Sequence, residues 1–151
     1  MINHPRRNSL YLSGSMEYNK DPTTWRQKMY EALRYKYHVI IPWMCEPPFK
    51  KGESKYSKWV YHNFVVPDLS DVTRSQYFFI RIDPGVLKGA GTISELSLAA
   101  FLNRHIVAVI DRVERKNLPG WMLGCLVKAH FVLNINSAIE YYKKLIPEGD
   151  K

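Results

Sequence analysis

Glu95 is the residue of this chain best placed to do chemistry, because it follows Lys88-Gly89-Ala90-Gly91-Thr92 and opens a helical pattern. Gly89 and Gly91 can adopt positive φ and let a ligand come close to the backbone. A helix that starts just after them leaves its first N–H groups unpaired, so its first turn is a seat for an anion or a polar ligand. A carboxylate in that turn is favoured in its ionised form by the helix dipole and can attack an electrophilic carbon. The same spacing, Thr92-x-x-Glu95, is also a capping box, in which the two side chains only satisfy backbone N–H groups. The spacing alone leaves both readings standing.

A second carboxylate, Asp68, precedes an apolar run in Asp68-Leu69-Ser70-Asp71-Val72. Two carboxylates in different surroundings can divide the roles of nucleophile and proton donor, although Asp68 reads equally as a helix-start or turn aspartate. Near the start of the chain, Leu10-Tyr11-Leu12-Ser13-Gly14-Ser15 ends a short apolar run in hydroxyls and a glycine. Tyr11 could orient a carboxylate or simply fill the core. Ser13 and Ser15 could donate to sugar or phosphate oxygens or hydrogen-bond only their own backbone. The candidates for ligand contact are Gly14, Ser15, Asp83, Lys88, Gly89, Gly91 and Thr92, with Trp43 and Trp59 able to stack on a flat ring.

The elements that must position these residues alternate between strand and helix. Apolar runs of strand length fall at residues 9–12, 38–41, 77–80, 106–110 and 131–133. The fourth, Ile106-Val107-Ala108-Val109-Ile110, is the uninterrupted β-branched kind expected of a parallel strand covered on both faces. A first helix is expected with Asp21 as N-cap and Pro22 at its first position, burying Trp25, Met29 and Leu33 and ending near Tyr37. A long loop is expected at 43–58, a helix over 56–74 interrupted at Pro67, a helix after the glycine loop, a charged loop at 112–119 and a helix at 120–128. The terminal helix at 135–146 should turn Ile139, Tyr142 and Ile146 inward. The alternation predicts an α/β fold, a doubly wound sheet of five parallel strands forming one domain over residues 1–151. Ligands of such sheets bind at the C-terminal edge of the strands.

Three segments carry a family resemblance. The run from Gly91 to Asp111, GTISELSLAAFLNRHIVAVID, resembles the GTxxELxxA segment of the nucleoside 2-deoxyribosyltransferase family, which includes related nucleotide N-glycosidases. The segment from Leu10 to Ser15 resembles that family's first strand and substrate loop, and the segment from Asp68 to Val72 resembles its D-L-x-x-I segment. They occur in the family's order over residues 9–111. The resemblance implies a flavodoxin-like fold with Glu95 as nucleophile, Tyr11 orienting it and Asp68 holding the base and supplying or relaying its proton. It implies cleavage or transfer at the N-glycosidic bond of a 2'-deoxynucleoside or its 5'-phosphate through a covalent glycosyl-glutamate, without metal or organic cofactor. It also implies a homo-oligomer, a dimer or larger, whose sites borrow residues from a neighbour. The family's transferases carry an aspartate six residues before the nucleophile to hold the sugar 5'-hydroxyl, and related nucleotide hydrolases carry a serine there; this chain has Gly89. Ser75-Gln76 replaces a paired Ser-Asp, and the family's C-terminal substrate segment has no counterpart after Trp121.

Composition fits this reading without requiring it. With 151 residues, 46% hydrophobic and 24% charged, the chain can bury a sizeable core. Its start carries arginines without an apolar stretch, and no apolar run approaches membrane-spanning length, so a cytoplasmic protein is expected. Cys45 and Cys125 form no CxxC pair and no zinc-type spacing with the histidines, so two reduced thiols and no metal are expected. The net charge of +8 is dispersed, with short basic runs only at Lys50-Lys51 and Lys143-Lys144, which disfavours nucleic acid as the partner. A small-molecule nucleoside or nucleotide is the expected partner. The alternatives are a non-catalytic nucleotide-sensing module of the same fold and, behind it, a nucleic-acid-binding protein.

Overall fold

The computed structural model describes residues 4–43 and 45–146; Met44 of the expected loop and both ends of the expected 1–151 domain lie outside them. Five strands form one sheet: β1 (Arg6–Gly14), β2 (His38–Ile40), β3 (Ser75–Ile82), β4 (His105–Ile110) and β5 (His130–Phe131). All pairings are parallel and the order is β2-β1-β3-β4-β5. This is the doubly wound, flavodoxin-like arrangement, in which the chain winds first to one side of β1 and then to the other. The strand order reverses between β1 and β3, whose ends are in register at Ser13–Ile80 and Gly14–Arg81.

Alternation along each strand sends side chains to two separate cores. On one face Leu10, Leu12, Phe79, Val107 and Val109 pack against Trp25, Met29 and Leu33 of α1 (Thr24–Leu33) and Ala138, Ile139 and Tyr142 of α6 (Ile135–Leu145). On the other, Tyr11, Phe78, Ile80, Ile82 and Ala108 pack against α3 (Val66–Arg74), α4 (Gly91–Phe101) and α5 (Gly120–Cys125). Among the described residues no helix is long and apolar enough to cross a membrane.

Several boundaries differ from expectation, each for a local reason. The helix α1 begins at Thr24, two residues after Pro22, because the Asp21 carboxylate accepts from the N–H groups of Thr23 and Thr24 and holds a turn ahead of the helix. It ends at Leu33, short of Tyr37. Pro67 does not interrupt the helical path. A helix α2 (Ser54–Val60) already occupies the end of the expected loop, and a π-helical segment (Tyr61–Val65) joins it to α3, with the Val66 N–H reaching back five residues to Tyr61. Pro67 has no N–H to give, so the ladder must change around it, and here it widens instead of ending. The strand expected at 131–133 is only His130–Phe131, since Val132 makes the last bond to Ala108 and Asn134 then caps α6 through Ser137.

Candidate active site

The strand β1 supplies the floor of the site. Tyr11 and Ser13 are alternate residues, so both turn toward the α4 face, and both are fully buried. From α4, Glu95 comes down onto them and is 7% exposed. The Tyr11 hydroxyl donates to Glu95 Oε2, and Ser13 Oγ donates to Glu95 Oε1 at 2.9 Å. The alternative capping box is not formed. The N-cap of α4 is Ala90, Thr92 sits inside the first turn, and both carboxylate oxygens of Glu95 face the sheet.

Burial pushes the Glu95 carboxyl above its ordinary range, while the two hydroxyl donors and the positive charge of Arg26 pull it back down. Burial also raises the Tyr11 phenol, and the negative charge of Glu95 raises it further, so Tyr11 keeps its proton and stays a donor. Asp68 stands in the first turn of α3, half-buried. Desolvation first, then the charges of Glu95 and Asp71, raise its carboxyl to about 7. Two carboxyls in mutual electrostatic contact, one fixed by two donors and one held near neutrality, are a pair able to separate a nucleophile from a proton donor.

Arg26 of α1 was not expected here. Its side chain is 1% exposed, its guanidinium lies 4.5 Å from the Trp25 ring centroid, and it donates to the carbonyls of Leu12 at 3.3 Å, Gly14 at 2.8 Å and Pro22 at 2.6 Å. One signal of it exists in the sequence: Arg26, Met29 and Leu33 share the i, i+3, i+7 spacing of the buried stripe, so a charge falls on the core side of α1.

The other expected ligand contacts divide. Gly14 ends β1, and a Cβ there would lie 2.8 Å from the Trp25 ring, so the close approach of α1 requires glycine. Ser15 is buried against Gly85, where a Cβ would come within 2.6 Å of both Ser15 Oγ and the Tyr18 carbonyl. Asp83 is buried too, but its oxygens are taken by Arg81 at 2.9 Å, Asn19 at 3.0 Å and the Val86 N–H at 3.2 Å. It therefore ties the loop after β1 to the loop after β3. Lys88 is exposed at the end of a short turn, Val86–Lys88. Gly89 does not use its left-handed freedom, having φ −125°, and a Cβ on Gly91 would meet nothing within 4 Å. Gly89 is thus extended backbone against the Tyr18 ring, 3.3 Å from where its Cβ would stand, and the open space lies at Gly91, the first residue of α4.

Trp43, half exposed just beyond β2, packs with Trp59 and Phe64 of the α2 and π-helical segment, at centroid distances of 6.3 and 6.2 Å. A separate open groove of about 540 Å³ between α4 and α5, lined by Ala100, Phe101, Trp121 and Cys125 among others, lies away from Glu95. Among the described residues no cluster of His, Cys, Asp or Glu is suited to a metal ion.

No protein-family model matches the chain, and no curated protein matches it significantly in sequence. Solved structures do match its fold. One is the CMP N-glycosidase BcmB of Clostridium botulinum, with a TM-score of 0.55 and 13% identity, over 91% of this chain and 99% of that one. At that identity the likeness is one of architecture: this chain shares its flavodoxin-like fold with a nucleotide N-glycosidase.

Proposed function

We propose that this protein cleaves or exchanges the N-glycosidic bond of a nucleoside or nucleotide, with Glu95 as nucleophile. The observation that carries the reading is the buried Glu95 carboxylate, gripped by Tyr11 and Ser13 at the point where the strand order reverses. The fold shared with a CMP N-glycosidase and the GTxxELxxA-like segment around Glu95 support it. A carboxylate that only capped a helix would be turned to backbone N–H groups, whereas this one is presented by two hydroxyls.

In the proposed reaction one oxygen of Glu95 bonds to C1' of the sugar as the C1'–N bond breaks through an oxocarbenium-like transition state. The base leaves with the electron pair of that bond and takes a proton from Asp68. Asp68, now ionised, draws a proton from water as that water attacks C1', breaking the ester to Glu95 and releasing the sugar. A second base in place of water gives transfer. Two displacements retain configuration at C1' in either case. Tyr11 and Ser13 hold Glu95 in one orientation throughout. Gly89, where transferases of the resembling family hold a 5'-hydroxyl with aspartate, carries no carboxylate to repel a 5'-phosphate.

The test is a panel of ribo- and deoxynucleosides and their 5'-phosphates, with chromatography of the free base. Base should be released by the wild type and at least ~1000-fold more slowly by Glu95→Gln. A slow-leaving 2-fluoro sugar analogue should leave an adduct on the peptide containing Glu95. Inversion at C1' would rule the mechanism out.

A further inference from the structure

Arg26 presents a physical problem that its hydrogen bonds alone do not solve. A guanidinium that is 1% exposed has lost its hydration, and the three atoms that accept its hydrogen bonds are all neutral carbonyls, those of Leu12, Gly14 and Pro22. Among the described residues no carboxylate lies within ion-pair distance of it. Buried charges without a counter-charge are among the most costly features a fold can contain.

The titratable groups around Arg26 come from three elements. Glu95 of α4 acts most strongly and favourably, at the end of β3 Arg81 opposes it while Asp83 favours it, and Tyr11 of β1, which keeps its proton, brings no charge. Arg81 is itself matched by Asp83 at 2.9 Å and Asp111 at 2.6 Å. The groups facing Glu95 are Tyr11 and Ser13 of β1, Asp68 of α3 and Arg26. Of these only Arg26 is positive, and the charge of Glu95 helps to keep Asp68 protonated.

We propose that Arg26 is the counter-charge and positioning residue of Glu95: through the end of β1 it favours the ionised carboxylate and fixes the Leu12–Gly14 backbone that carries Ser13. It reaches the site from the opposite layer, since its neighbours Trp25, Met29 and Leu33 pack on the α1 and α6 face. Its fork spans two carbonyls of one strand end, Leu12 through Nε and Gly14 through Nη2. The strand residue between those carbonyls is Ser13, which holds Glu95 Oε1. One side chain thus sets both the electrostatics and the geometry of the carboxylate. The inference deepens the proposed reaction and rests on Glu95 being its nucleophile.

The test reads Glu95 directly, through the ¹³C shift of its carboxyl carbon against pH, in the wild type, Arg26→Met and Arg26→Lys. Loss of the positive charge disfavours the ionised form, so the Glu95 midpoint should rise by about one pH unit or more in Arg26→Met. The acid limb of base release should move up with it. Arg26→Lys keeps the charge and loses the fork, so the midpoint should stay close to wild type while turnover falls. An unchanged midpoint in folded Arg26→Met overturns the proposal. If Arg26→Met does not fold, the Arg26→Met/Glu95→Gln double variant, which removes both charges, should regain a cooperative melt. A double variant as unstable as the single one also overturns it. A wild type that titrates as described but releases no base rejects the proposed reaction while leaving the assignment of Arg26 intact.

Discussion

Tyr11 and Ser13 stand two residues apart on β1 and each takes a different oxygen of the same carboxylate. That division follows from strand geometry, because residues i and i+2 face the same way. It leaves Glu95 unable to rotate without giving up a donor. Tyr11→Phe removes one donor to the charged form, so the Glu95 carboxyl should titrate higher and the acid limb of base release should shift toward neutral pH. We expect a ~10- to 100-fold fall in kcat/KM. A pH profile identical to wild type would separate Tyr11 from the catalytic carboxylate.

Asp68 gives a prediction in which activity and stability move in opposite directions. With its carboxyl at about 7, proton donation to the leaving base should fail as pH rises through that value. Asp68→Asn cannot donate in the same way, so turnover should drop more than affinity. For stability the sign is set by the raised value. The folded protein holds this proton more tightly than the unfolded chain, so Asp68 does no harm at low pH and becomes a growing liability from about pH 4 to about 7. Asp68→Asn should therefore melt higher than wild type at pH 8 and show no such gain at pH 4. An equal change at both pH values would refute the electrostatic account.

Gly85 predicts a purely steric defect. An added Cβ meets the Tyr18 carbonyl and Ser15 Oγ at 2.6 Å, and a carbonyl cannot move without moving its loop. Gly85→Ala should cost ~1–3 kcal/mol in chemical denaturation, as overpacking does. Gly91→Ala, with nothing within 4 Å, should melt like wild type. Equal losses in the two variants would show that backbone freedom, not space, governs the loop.

Lys88 bears on whether the substrate carries a phosphate. It is exposed just before the open start of α4, where an anion would meet unpaired N–H groups. The 5'-phosphate of a nucleoside should be used with higher kcat/KM than the nucleoside itself, and Lys88→Ala should narrow that gap about 3- to 10-fold. Equal efficiency for both substrates in the wild type would end the idea.

What the sequence makes legible is what depends on local pattern. The run Ile106-Val107-Ala108-Val109 is buried as a covered parallel strand must be, and Ile139, Tyr142 and Ile146 turn inward as their spacing requires. The strand order follows from alternating elements and the handedness of their connections. Around the site, the position of Glu95 at a helix start was readable, but its partners were not. Whether Thr92-x-x-Glu95 closes on itself or opens toward β1 is decided by the Tyr11 and Ser13 hydroxyls, more than 80 residues away. The bond of Ser13 to Glu95 Oε1 likewise needs the folded sheet to bring the two residues together. Arg26 escaped because charged residues are read as surface, and its burial depends on two strand-end carbonyls that only the folded sheet brings together. The bracing of two loops by Asp83 depends on Asn19, 64 residues away in the chain, which local pattern does not bring to it.

The place of β1 inside the sheet bears on how the protein acquires activity in time. Of the five strands this one comes first in the chain, yet it is flanked by β2 on one side and β3 on the other, with Ser13 opposite Ile80. Its residues must wait for distant chain to close over them, and such long-range parallel pairings form late and slowly. Glu95 arrives only with the helix after β3. A refolding protein should therefore gain helical signal first and catalytic competence in its slowest major phase. A nascent chain truncated before residue 91 would carry both hydroxyls of the grip with nothing to hold.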